Sequence, residues 1–163
     1  MIWRTVVALA FLPAICWAQS FERYQAKTLD AVFDEWNDLT KTYEVGLSVI
    51  QPQKIRFVAT YRLAAQPCDT RALEFVLTTL GATAILKQVS VTHCLGLSSQ
   101  QGRQAIAYLQ DVLVPGLKSD AHLGAPIEIY ADLLAYNVNS DRSRNMPILL
   151  ISRFEPQPLP RNP

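Results

Sequence analysis

The stretch EVGLSVIQPQKIRFVATYRLA, residues 44–64, decides how the rest of the chain is read. In its second half Ile55, Phe57, Ala59, Tyr61 and Leu63 alternate with Arg56, Val58, Thr60 and Arg62. Side chains two apart share one face of a strand, so this is a strand with one buried and one polar face. The first half is also β-like, and the Gln51-Pro52-Gln53-Lys54 stretch between them suggests a turn. The pair is therefore expected to form a hairpin.

Upstream, Leu29, Val32, Phe33, Trp36, Leu39 and Tyr43 recur at three- and four-residue spacing, which predicts a long amphipathic helix from Ser20 to about Tyr43. Its other face carries Asp30, Asp34, Glu35 and Asp38. Downstream, Asp69 can cap a second helix with the apolar stripe Leu73, Val76, Leu77 and Leu80, stopped by Gly81. A strand is expected to return through AILKQVSVTHC, residues 84–94. Ser98 and Gln101 resemble a capping box, followed by Ile106, Leu109, Val112 and Leu113, so a third helix is predicted up to Pro115-Gly116. Two strands close the chain around a polar turn at 139–145, and the second holds an apolar run, Ile148–Ile151, of the kind covered on both faces. The order αββαβαββ points to an α+β domain, a mixed or mostly antiparallel sheet of about five strands with three helices packed on it.

The first 18 residues hold Arg4, an apolar run from Val6 to Ile15 and the small-residue ending CWA. That is the pattern of a secretory signal peptide, with a run too short to span a bilayer. One domain is then expected over 19–154, with a Pro-rich tail over 155–163 that is extended or disordered. Losing Arg4 and no acid takes the 15 basic residues to 14, against 14 acidic ones. Neutrality argues against nucleic acid as a partner. A leader also implies an oxidising compartment, periplasmic or extracellular, with no stable membrane insertion once it is cleaved. Cys16 leaves with it, so Cys68 and Cys94 remain as one disulfide that closes a loop of 26 residues.

His93 stands directly before Cys94, but neighbours on a strand point to opposite faces, so the two are not a nucleophilic pair. A half-buried, structural His93 is expected instead. Cys68, His93, Cys94 and His122 lack zinc-site spacing, and neither a metal nor a cofactor is expected. Glu128 and Asp132 would stand about 13 Å apart on a strand, beyond the ~5–9.5 Å of glycosidase carboxylate pairs. GLSSQQG, residues 96–102, is the nearest approach to an anion cradle, and an ordinary helix cap explains it as well. Two polar surfaces remain for contact with another molecule: the outward-facing Lys54, Arg56 and Arg62, and the 139–145 turn with Asp141, Arg142 and Arg144.

The expected function is that of an exported, non-enzymatic binding or accessory module whose partner is another envelope or secreted protein, met by Arg56, Arg62, Asp141, Arg142 and Arg144. Two other functions fit the composition. One is a cell-envelope hydrolase that sets Glu128 or Asp132 against His93 or His122. The other is a periplasmic binder of a small ligand, which would need a deep apolar pocket.

Overall fold

The computed structural model describes residues 23–39, 45–138 and 146–158. In chain order the elements are β1 (Gln25–Ala26), α1 (Leu29–Leu39), β2 (Gly46–Pro67), α2 (Arg71–Thr79), α3 (Ala84–Gln88), β3 (His93–Ser98), β4 (Gln104–Leu109), α4 (Val114–Asp120), β5 (Pro126–Val138) and β6 (Met146–Pro156). A short 3₁₀ turn, Asp111–Leu113, leads into α4. The expected leader and the expected polar turn at 139–145, with Asp141, Arg142 and Arg144, lie outside the described residues.

The expected hairpin at 44–64 is one strand of 22 residues. Pro52 does not reverse the chain. Val49 pairs with Ala135 and Gln53 with Leu133, so three residues of β2, 50–52, are set against the single residue Leu134 of β5, and Pro52 sits in this irregularity, where no ladder N–H is required of it. The length of β2 lets it pair twice. Residues Gly46–Thr60 run antiparallel to β5, and Thr60–Pro67 run antiparallel to β3. With β3–β4, β4–β6 and β6–β5 also paired, the sheet closes into a ring, β2-β3-β4-β6-β5-β2. It is mixed: β1–β2 and β4–β6 are parallel and the other pairings antiparallel.

Closure gives the sheet an inside and an outside. Inside stand Ile55, Phe57, Ala59 and Tyr61 of β2, Leu95 and Leu97 of β3, Ala105, Ala107 and Leu109 of β4, Ile127 and Ile129 of β5, and Leu149 and Ile151 of β6. Leu29, Val32, Phe33 and Trp36 of α1 complete this core from one side, and Val114, Leu117 and Ala121 from the α4 region complete it from another. Helix α1 begins at Leu29 rather than at Ser20 as expected: Gln25–Ala26 is instead strand β1, paired with β2, and the Thr28 hydroxyl accepts the Ala31 amide at 3.0 Å as an N-terminal cap. Arg103 then ties α1 to the β3–β4 turn through Asp30 at 2.9 Å and Asp34 at 2.7 Å.

A second cluster lies outside the ring, where Leu73, Val76 and Leu77 of α2 cover Cys94, Tyr108, Leu134, Ile148 and Leu150. The run Ile148–Ile151 is covered on both faces as predicted, its residues alternating between the two clusters. Gly81, with φ +67°, stops α2: the Gly81 amide reaches the Thr78 carbonyl and the Ala82 amide reaches that of Leu77. The expected Cys68–Cys94 disulfide pins the connection between β2 and α2 to β3, with a Cα–Cα distance of 5.7 Å.

Two segments change type. Residues 84–88 form the short helix α3 rather than a strand, and Leu86 and Val89 pack onto the outer cluster. The predicted third helix over 98–113 is instead a turn and a strand. Gly102 has φ +80°, a left-handed conformation that reverses the chain between β3 and β4. Ala105, Ala107 and Leu109 then alternate inward while Ile106 faces out. Pro115 and Gly116, expected to end a helix, lie in the first turn of α4, where a proline's missing N–H costs nothing.

Candidate partner-binding face

The alternation that points Ile55, Phe57, Ala59 and Tyr61 into the core turns Lys54, Arg56, Val58 and Arg62 outward. On the neighbouring strand Glu128 and Asp132 share that outer side. Lys54 Nζ stands 3.7 Å from Asp132 Oδ1, and Arg56 Nη1 stands 3.6 Å from Glu128 Oε1. Burial pushes the Asp132 carboxyl above the usual carboxylate range, with Lys54 offsetting part of the effect. Lys54 and Arg56 of β2 are therefore answered by β5, and Asp30, Asp34 and Glu35 of α1 by Arg103 and Lys27. Further along the face, Tyr24 and Tyr130 meet edge to face at 5.5 Å, Lys54 lies over the Tyr24 ring, and Arg153 lies over Tyr130 while pairing with Glu155.

Arg62 differs from its neighbours. It is exposed and forms no ion pair among the described residues. It lines a shallow groove of about 280 Å³ with Leu63, Gly96, Leu97, Gln104, Ala105 and Ile106. Leu63 and Ile106 are 42% and 39% exposed, large for apolar side chains, and Val58 on the same side is also exposed. Gly96 lies between them, paired with Leu63 on one side and Ile106 on the other. A Cβ at Gly96 would stand 2.5 Å from Leu63 Cβ, so only glycine lets β2 and β3 approach here.

The histidine and carboxylates singled out in the sequence go to different places. His93 is half-buried, and its Nδ1 lies 2.9 Å from Asp111 Oδ1. Asp111 also accepts the Ser90 hydroxyl at 2.5 Å, the Thr92 amide at 2.9 Å and the Thr92 hydroxyl. Burial alone would raise the Asp111 carboxyl, but these four donor groups outweigh it and hold the carboxyl well below the ordinary range. This is a clamp that fastens residues 90–93 to the end of β4. Neither His93 nor His122 hydrogen-bonds to Glu128 or Asp132, and Cys68 and Cys94 are consumed by their disulfide. The Asp111 hub and the Arg103–Asp30 lock were not foreseen in the sequence, because the partners are 18 and 73 residues apart.

The clamp makes a pH prediction. Asp30 is also held below its ordinary range: burial opposes this, and hydrogen bonds from Ser99, Arg103 and the Gln101 amide prevail. A carboxyl depressed in the folded state contributes stability that is fully present above its unfolded pKa of about 3.9 and is lost as pH falls below it. Stability should therefore hold from about pH 7 to about pH 5 and fall steeply below about pH 4. Asp111→Asn should cost about 1–3 kcal/mol at neutral pH and make the acid fall shallower. Urea midpoints at the three pH values check both; an equally steep acid fall in the variant would refute the role given to Asp111.

No helix among the described residues is long and apolar enough to cross a membrane. No protein-family model matches the chain, and no curated protein matches it, so the function has to be argued from this geometry.

Proposed function

We propose that the chain is an exported, disulfide-stapled binding module that docks another envelope or secreted protein through its outer sheet face and catalyses no reaction itself. The observation that carries this reading is Arg62: an exposed guanidinium without an ion-pair partner among the described residues, beside exposed Leu63, Ile106 and Val58. An apolar centre with a charged rim is the usual composition of a protein interface, where the charge steers encounter and the apolar residues lose water. The leader-like first 18 residues and the Cys68–Cys94 bridge support an oxidising location.

The expected result is that Arg56→Glu/Arg62→Glu folds, with its disulfide intact, yet loses most of the protein that cross-links to the wild type in its native compartment. Arg62 is exposed and Arg56 pairs only across the surface, so the fold should tolerate both changes. Undiminished capture by the folded variant would remove the outer face from consideration.

A further inference from the structure

Resting on that docking reading, we infer that the partner inserts the tip of a protruding loop into the groove, with one aliphatic side chain seated over Gly96 and a neighbouring carboxylate held by Arg62. The groove lies on the outer face of three paired strands and uses no strand edge. Leu63 pairs with Gly96 and Gly96 with Ile106, so the three stand in one row across β2, β3 and β4. Adjacent strands are ~4.8 Å apart, which sets the backbones under the two apolar walls about 10 Å apart. The middle position is a glycine, so no side chain stands between Leu63 and Ile106. Leu97 and Ala105 turn their side chains into the core and contribute backbone to the floor.

The row has short limits on both sides. In one direction the next outward pair is Cys94 and Tyr108, already covered by Leu73, Val76 and Leu77 of α2. In the other it is Ser98 and Gln104, with Thr60 beside them, and all three are polar. The apolar part is therefore one row long, and about 280 Å³ suits a single leucine-sized side chain. A helix laid on the face, or a long acyl chain, would need several such rows. The charged group of the groove is a cation. Lys54, Arg56 and Arg153 on the same outer side already face Asp132, Glu128 and Glu155, whereas Arg62 faces no acid among the described residues. Arg62 directly precedes Leu63 and lines the groove itself, so the acid that answers it must lie within a residue or two of the seated side chain. The tip of a loop presents such a pair.

The test uses the oxidised, isotope-labelled protein and three acetylated, amidated tetrapeptides: Gly-Leu-Glu-Gly, Gly-Leu-Lys-Gly and Gly-Ser-Glu-Gly. The leucine–glutamate peptide should shift the amide signals of Leu63, Gly96, Gln104 and Ile106, and the other two should bind about ten-fold more weakly. Arg62→Glu should reverse the preference between the glutamate and lysine peptides, and Ile106→Ser should remove the advantage of leucine over serine. Arg62 and Ile106 are both exposed, so the two variants should fold, which their remaining amide signals check. Equal binding of the three peptides, no shift at these amides, or an unchanged preference in Arg62→Glu would overturn the inference. Tighter binding of dodecanoate than of the leucine–glutamate peptide would make the groove a fatty-acid site, and concentration-dependent shifts at the same amides without peptide would make it a contact between copies of the chain; either overturns it. If the peptide fails while Arg56→Glu/Arg62→Glu still loses the cross-linked partner, docking by this face stands and the inserted loop falls.

Discussion

Trp36→Ala is expected to lower the stability of the folded chain by about 3–5 kcal/mol, the largest loss from any single side chain. Trp36 is completely buried on the inner face of α1 and stacks on Tyr136 of β5, with ring centroids 4.0 Å apart and planes 8° from parallel. Around it, Leu29, Val32 and Phe33 of the same helix complete the core enclosed by the sheet. Alanine would remove both the stacked ring and the volume, and the ring of strands cannot collapse inward because its own hydrogen bonds fix its girth. The loss is a large part of the 5–15 kcal/mol typical of a whole domain. Trp36→Phe, which keeps an aromatic face against Tyr136, should recover much of it. Urea denaturation followed by circular dichroism checks the pair. A loss below about 1 kcal/mol for alanine would mean that α1 is not part of the core.

The role of α1 was legible in the sequence because Leu29, Val32, Phe33 and Trp36 repeat with the helical period and no other reading buries all four. The inner face of β2 was legible for the same kind of reason, the two-residue alternation from Ile55 to Tyr61. Segment 104–109 was ambiguous. Ile106 and Leu109 fit a helix, while Ala105, Ala107 and Leu109 fit a strand, and alanine adds little apolar contrast to either pattern. Gly102 and its left-handed backbone decide the matter, since a helix interior would not place glycine there. Pro52 misled in the opposite direction: it looked like a turn, but β2 runs through it because β5 pairs on both sides of the irregularity. No local pattern reveals that a strand has partners on two sides, so the closure of the ring was not readable.

The candidate face divides in the same way. Parity alone turned Arg56 and Arg62 outward, and both are at the surface. Which of the two has its charge answered depended on register: Val58 lies opposite Glu128 and Lys54 opposite Asp132, which brings acids to Arg56 and Lys54 and leaves none for Arg62. Leu63 seemed to belong with the core by alternation. The irregularity between Tyr61 and Leu63 turns it to the outside, where it forms a wall of the groove. An exposed apolar wall beside an unanswered cation is thus a product of a strand irregularity, and composition could not have shown it.

Cys68→Ala/Cys94→Ala is expected to cost about 3 kcal/mol, measured as the difference in urea midpoint from the oxidised wild type. The bridge spans 26 residues of sequence, and chain-entropy reasoning assigns that figure to a loop of this length. Its position localises the effect. Cys68 lies three residues before Arg71, the first residue of α2, and its amide already donates to the Thr92 carbonyl at 3.0 Å, so backbone contact persists without sulfur. Leu73, Val76 and Leu77 are fully buried against the outer cluster, so α2 should remain docked in the folded variant. Amide exchange should then accelerate in α2 and α3 before it accelerates in β2 or β5, because one helical layer held by a single apolar cluster opens more readily than a closed ring of strands. A variant as stable as the oxidised wild type would show that the outer cluster alone holds the helices. In that case the need for an oxidising compartment, and with it a main support for export, would disappear.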